Sequence, residues 1–582
     1  MHLPPRQTAS RNNTILAAAA LAWLFVPAGL WAQTNAAPLA VPPAPAGKNV
    51  IFEEWTAIIM EGKQCGSGHT LTTRIDTPTG PQYETVNKEE FVLKRMDVDL
   101  TIDESFDIVE DADGGVLRFQ ADTSGLGSDM STSGVRQGDE LVVTGHDQTQ
   151  HYAIPRLSAL GPDKIRRLTE QLPLKPGTPY SFNTFTTDYP QGIVVVKGTI
   201  VDQEDHDVRG TVRKLWKTTA ETSITPGTVS TIWVDDKSQE VESTVNFPGI
   251  GEMHEYTTTR TESSSPLQGV EAMASSAIHP QTSIPSPADQ DQAVYRLTAI
   301  DPSKKIDVWN EGEQRIITTS PGSCELEVTA SHFTAADATW QLPHADTPEL
   351  HPYLQASGYL EINSSEVQAL AKQAVGDQKN PVLAAALIEN FVRAYIIHKD
   401  LNVVFGSAKE TAISREGDCT EHAVLCAALG RVVGLPTRCV VGLGYLPPGI
   451  ESPTLSQADE NNTTGTFEFH MWAEAWIAPG RWMPMDAALN GFDVSHIAIT
   501  KTSLKDINPL VDLEGPVMQL VSNLKIDVEK VVPRGQQVLA PTATPAAVVP
   551  PAPVVTPAPV PVSPASTPLA PSTTGQSAPG VD

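Results

Sequence analysis

The spacing of apolar residues changes period part-way along this chain, and that change constrains the fold more than any other feature. From residue 49 to about 262 apolar and polar residues alternate in short runs: VLKRMDVDLTI (92–102), GIVVVKGTIVD (192–202), STIWVDD (230–236) and HEYTTTR (254–260). Period two is the signature of strands with one buried face. Gly, Pro and Asp-Gly turn signals separate the runs, so an antiparallel, mostly β domain is expected. The opening WTAIIMEGKQCGSGHTLT reads as a hairpin, and DKIRRLTEQL (163–172) as the domain's helix. From about 350 the spacing becomes helical, as in SSEVQALAKQAV (364–375) and in PVLAAALIENFVRAYIIHK, which Asn380-Pro381 opens. A third helix starts near Cys419 and stops at Gly434. Strand-like runs follow: TRCVVGLGYLP, FEFHMWAEAWIAP and RWMPMDAAL, the last two joined across Pro479-Gly480-Arg481. The fold class is therefore α+β, a β-rich domain followed by a helix-then-sheet domain.

At 582 residues the chain exceeds what one core supports, ~250–300 residues. The expected divisions are a signal peptide (1–32), an Ala/Pro-rich tether (33–48), the β-rich domain (49–262), a Ser/Pro-rich linker (263–292), a small β lead-in (293–349), the helix-then-sheet domain (350–535) and a disordered tail (536–582). Arg6 and Arg11 precede an apolar run from Ile15 to Leu30 that Pro27 and Gly29 interrupt, with Ala32 at the expected cleavage point. That run is shorter than the ~20 residues a spanning helix needs. Export to the periplasm or beyond is expected, with no membrane span in the mature chain. Residues 540–582 hold 12 prolines and a single charge, Asp582, and cannot build a core. The net charge of −29 repels phosphate backbones and anionic lipid, which argues against a nucleic-acid partner. Five cysteines are too few for a disulfide scaffold, and their odd number leaves a thiol unpaired.

One of those cysteines lies where chemistry is expected. Cys419 follows Gly417-Asp418, and Asp418 is placed to cap the helix that Cys419 begins. The positive end of a helix favours a thiolate, the form in which sulfur is a nucleophile. The same helix end, with the amide of Cys419, is suited to an oxyanion. A thiol needs a base, and the base an orienting group. His470 and Asp486 lie on the two strands of one hairpin, with Asp486 expected opposite a residue three positions past His470. Cys419, His422 and Cys426 share one helix face and, with Cys439, invite a zinc reading. They lack the closely spaced pair on a turn that structural zinc sites use. A Cys426–Cys439 disulfide is the other option there. No metal site is assigned, no organic cofactor is implied, and no compact acidic loop demands calcium.

GDC-x-x-HA-x-L-x-x-AL-x-R-x-x-GLP-x-R, then H-x-W-x-E-x-W, then W-x-P-x-D, resembles the transglutaminase-like superfamily over roughly residues 355–512. The resemblance implies a papain-like thiol fold, with the helix bearing the nucleophile set against an antiparallel sheet. It places the family's nucleophile on Cys419, its histidine on His470 and its aspartate on Asp486. It also implies acyl transfer through a thioester to water or an amine, with a peptide or protein as substrate. Met471, where the family usually has a small residue, and Asp486-Ala487-Ala488, where it often has Asp-Pro-Thr, depart from the pattern. Trp472 shares a face with His470 and is expected to line the substrate groove. Two function classes remain: an exported thiol hydrolase, favoured over a cross-linking enzyme, and a non-catalytic binding or envelope-assembly module.

Overall fold

The computed structural model describes residues 49–535, apart from 96–97, 126–129, 146–147, 188, 226, 248–250, 272–276, 303–304, 398–405, 450–462, 490, 506–519 and 521–522. The expected signal peptide, tether and proline-rich tail lie outside the described residues. Strands β1–β8 run from Asn49–Met60 to Gln148–Ala153, and β9–β14 from Thr178–Thr184 to Gly251–Thr258. All fourteen lie in one antiparallel path, ordered β8 to β1 and then β14 down to β9. The chain thus meanders outward through β8, crosses by helix α1 (Pro162–Thr169), and meanders back until β14 pairs with β1. The segment at 160–161 ties the crossing down: Gly161 N–H donates to Gly114 O, and Leu160 exchanges hydrogen bonds with Asn183 and Phe185. The expected first hairpin is present, closed by Glu61 and Gly62 at positive φ, as a two-residue β-turn requires. The run 92–102, which reads as one alternating stretch, spans two strands, β3 (Gly80–Arg95) and β4 (Val98–Asp111). Its alternation is misleading, because Leu93 pairs with Leu100 and Phe91 with Ile102, an odd number of residues away, which one continuous strand would place on opposite faces.

The Ser/Pro-rich segment after β14 is held at several points. Helix α2 (Arg260–Ser263) is followed by β15 (Val270–Glu271), which pairs with β3. Further on, Ile278 and Phe467 exchange backbone hydrogen bonds of 2.9 and 2.8 Å, and Ile284 N–H donates to Tyr445 Oη. The three lead-in strands form as β16 (Gln290–Ala299), β17 (Gln314–Ser320) and β18 (Ser323–Thr329). A late strand completes their sheet: β23 (Leu524–Pro533), which lies along β16.

Helices α3 (Ser365–Val375), α4 (Pro381–Tyr395), α5 (Ala408–Ser414) and α6 (Cys419–Val432) precede strands β19 (Thr437–Leu446), β20 (Thr466–Ala478), β21 (Arg481–Met485) and β22 (His496–Thr502). The sheet order is β21-β20-β19-β22. Ser364 caps α3 and Asn380 caps α4, each side chain accepting first-turn amides as the sequence predicts. Residues Thr420 to Arg431 of α6 are all buried, so the helix is enclosed on every side. A continuous apolar core runs from Ile58, Phe91 and Met253 of the large sheet through Tyr295 and Leu326 to the α6 face of β19 and β20. Among the described residues no helix is long and apolar enough to cross a membrane.

Candidate active site

The loop entering α6 is built around its cap. Asp418 Oδ1 accepts from Thr420 N–H at 2.9 Å, and Glu421 turns back so that Oε2 accepts from Asp418 N–H at 2.8 Å. This reciprocal box satisfies first-turn donors that would otherwise be orphaned. Gly417 has φ 149°, and a Cβ there would lie 2.4 Å from Glu421 Cβ, so a side chain would break the box. Burial, and then the neighbouring Asp418, push the Glu421 carboxyl well up.

Cys419, the first residue of α6, is half-buried, and its sulfur accepts a hydrogen bond from the backbone N–H of Met471. The thiol therefore lies against the residue that follows His470. Met471 is itself buried, so its large side chain occupies core and only its amide reaches the sulfur. The surroundings do not favour an isolated thiolate. Burial, and then Asp418, push the thiol well above its ordinary range, with Glu421 and Asp486 adding to this and the Met471 amide opposing it. This corrects the expectation drawn from the helix end alone. A negative sulfur here requires a positive imidazole beside it.

His470 Nε2 lies 2.9 Å from Asp486 Oδ2. With Nε2–H donating to the carboxylate, Nδ1 is the nitrogen left to exchange a proton. The hairpin register differs by one from the expectation. A bulge at Ile477, between Trp476 and Ala478, shifts the pairing so that Ala473 faces Met485, and Asp486 follows at the position next to Trp472. That is two residues from His470 and on the same face. Burial alone would raise the Asp486 carboxyl, but His470 and a second histidine hold it well below the usual range. Its other oxygen, Oδ1, accepts from Ala488 N–H at 2.9 Å and Leu489 N–H at 3.1 Å. Arg393 of α4 donates to the Asp486 carbonyl at 2.8 Å and so fixes the backbone as well.

The second histidine is His496, at the start of β22, which no sequence motif marked. Its Nε2 lies 2.8 Å from the same Asp486 Oδ2. A glycine makes room for the His470 ring: a Cβ on Gly444, which pairs with His496, would lie 3.0 Å from His470 Cγ, while one on Gly442, which pairs with His470, would meet the Ile497 carbonyl at 2.0 Å. Ligand-type atoms of His470, Asp486 and His496 all lie within 4.8 Å of one another. The two hydrogen bonds to one oxygen account for that grouping.

Trp472 does not line a groove. It is 1 % exposed and stands behind the histidines, 5.9 Å from the His470 ring and 5.2 Å from that of His496, with Phe492 at 5.9 Å. The alternation that put it on the face of His470 was right; the lead-in segment covers that face, with Trp309 N–H and Gln314 binding the backbone of Ala498. Glu474, next on this face, is buried between Arg438 at 2.7 Å and Lys501 at 2.9 Å. The zinc grouping does not assemble: His422 Nδ1 bonds Asp418 O, while Cys426 and Cys439 are unoxidised and lie in the core. All five cysteines are free thiols.

Comparison with known proteins agrees with this geometry. Residues 368–487 match the model of the transglutaminase-like superfamily. Among curated proteins none matches the chain. Three solved structures share parts of it. A protein of Cytophaga hutchinsonii, named provisionally as a cysteine protease, is 16 % identical, with 39 % of this chain and 79 % of that one covered and a TM-score of 0.26. A β-barrel-like protein of Brucella abortus, from a domain of unknown function, is 13 % identical over 36 % of this chain and 98 % of that one, at a TM-score of 0.25. A protein of Parabacteroides distasonis, named provisionally as a protease, is 11 % identical over 64 % and 68 %, at 0.17. At these scores the structural likenesses bear no functional weight. The helix-borne thiol, the histidine hairpin and the matching family model together identify residues 368–487 as a transglutaminase-like superfamily domain.

Proposed function

We propose that the protein is an exported thiol enzyme that hydrolyses amide bonds in peptides or proteins. The observation that carries this reading is the contact between Cys419 Sγ and the Met471 amide, which sets a thiol beside a histidine already oriented by a buried carboxylate. His470 Nδ1 takes the thiol proton as sulfur attacks the substrate carbonyl. The S–C bond forms, and the new oxyanion faces the N-terminus of α6, where the capping box leaves the Cys419 amide unused. The C–N bond then breaks as His470 returns the proton to the leaving nitrogen. Water, deprotonated by His470, releases the acid from the thioester. Asp486 keeps His470 in one tautomer throughout and stabilises its cation.

The test is product analysis by mass spectrometry, with a peptide amide as substrate and with or without a primary amine. Free acid as the sole product, lost in Cys419→Ala, is the expected result. Amine incorporation would replace hydrolysis by cross-linking. If Cys419→Ala leaves the protein's biological role intact, the domain is a binding module and the enzyme reading fails. Export is tested by N-terminal sequencing of protein recovered outside the cytoplasm, which should begin near Gln33.

A further inference from the structure

Asp486 serves two imidazoles. Its Oδ2 accepts from His470 at 2.9 Å and from His496 at 2.8 Å, while Oδ1 takes two backbone amides. Every acceptor position is in use, so the carboxylate cannot turn toward one histidine without abandoning the other. His496 is 1 % exposed. Its far side meets Asp493, with Nδ1 3.2 Å from the Asp493 carbonyl oxygen, 3.4 Å from its backbone nitrogen and 3.5 Å from Oδ1 of the side chain. The ring is walled by Phe492 at 4.7 Å and by the edge of Trp472. Ser495 Oγ approaches Nδ1 at 3.4 Å. From α4, Glu389 and Arg393 complete the charged surroundings, paired to each other at 2.7 Å.

We propose that His496 is a positioning residue that, through the Asp486 carboxylate it shares with His470, sets the pH range over which Cys419 reacts. This rests on the thiol-enzyme reading. A carboxylate oxygen lies at Nε2 and a carbonyl oxygen near Nδ1, so each nitrogen has an oxygen that can accept its proton. Burial opposes the charge, but Asp486 and Asp493 outweigh it and bring His496 up to about 9. At neutral pH a cation therefore lies behind Asp486, with its ring centroid 5.5 Å from that of His470. It offsets part of the negative potential that Asp486 projects toward the Cys419 sulfur. It also adds the positive potential that the Cys419 sulfur lacks from Asp418, Glu421 and Asp486. Taking it away should make the thiol hold its proton to higher pH.

The experiment measures the rate of Cys419 alkylation by iodoacetamide from about pH 5 to pH 10 in the full chain. Wild type, His496→Gln and His470→Ala are compared, with melting temperature and circular dichroism as fold controls. His496→Gln should move the profile upward by about one pH unit, with a plateau rate within a few-fold of wild type. A superimposable profile, or one that loses amplitude without moving, would overturn the proposal and leave His496 a packing residue. Should His496→Gln not fold, Asp493→Asn tests the same point; it should move the profile in the same direction by less, and an unmoved profile overturns it. Imidazole nuclear magnetic resonance of the wild type gives a readout independent of thiol chemistry. His496 should keep both ring protons between about pH 6 and 8, and loss of one near its ordinary value of ~6.5 sinks the proposal. If His470→Ala alkylates like wild type, the thiol-enzyme reading fails first, and the inference with it.

Discussion

One group of buried carboxyls in the large N-terminal sheet and the buried Asp486 of the transglutaminase-like domain are treated in opposite ways. In the sheet, Glu54, Glu240 and Glu255 are all buried, and they face one another electrostatically. Burial, then Glu89 and Glu54, push Glu255 up to about 8, and Glu240 goes well above its ordinary range for the same kind of reason. In the transglutaminase-like domain Asp486 is no less buried, but two histidines and two backbone amides keep it ionised. Burial does not by itself decide charge; the donors placed around the oxygen decide it. A carboxyl crowded by other carboxyls keeps its proton and acts as a polar core residue. A carboxyl ringed by donors is a fixed negative charge that can orient a base.

If this contrast holds, changes in the two regions separate by readout. Cys419→Ala should have the largest effect, lowering amide turnover on the order of 10⁴-fold while the melting temperature stays close to wild type. Steady-state kinetics beside calorimetry would check it. Asp486→Asn keeps the shape and removes the charge. It should lower turnover roughly 10³- to 10⁴-fold by releasing the His470 tautomer, and a loss below tenfold would count against the orienting role. Because the folded Asp486 is held low, the stability it contributes is present above its unfolded value of 3.8 and is lost only as pH falls through its lower folded value.

Glu255→Gln probes the opposite case. A carboxyl raised to about 8 keeps a proton that the unfolded chain has released above 4.5. Native stability is thus eroded as pH rises between those two values. The substitution should raise the melting temperature by several degrees at pH 8, do little near pH 4, and leave turnover unchanged. A variant equally stabilised at both pH values would show that packing, not titration, is responsible. The smallest effect is expected for Asn380→Ala. It removes the acceptor for Val382 and Leu383 amides at the start of α4 and should cost about 1 kcal/mol in chemical denaturation.

Much of the site could be read from the sequence because its parts are local. The GDC turn, the cap at Asp418 and the hairpin signal at Pro479-Gly480 each reside in a few consecutive residues, so Cys419, His470 and Asp486 could be named from their flanking patterns. Features that depend on distant packing could not. Trp472 was placed on the correct face, but nothing in the chain's pattern says that Trp309 and Gln314 cover that face. The bulge at Ile477 moved Asp486 by one register position, and alternation carries no mark of a bulge between Trp476 and Ala478. His496 lies ten residues beyond Asp486, without a motif, and acquires its role because β22 pairs with β19 beside the hairpin.

The sequence by itself determined the α+β class, the change from strands to helices and sheet, and the candidate thiol, histidine and carboxylate, because periodicity, capping and local motifs are short-range properties of the chain; it did not mark the helix Ala408–Ser414 or the strands His496–Thr502 and Leu524–Pro533. Only the tertiary structure decided the electrostatics. It closed the lead-in sheet with β23, set Asp418 and Glu421 against the thiol, and gave Asp486 a second imidazole. Those outcomes depend on which groups meet in a dry interior, where the energy of a charge is fixed by neighbours far away in the sequence.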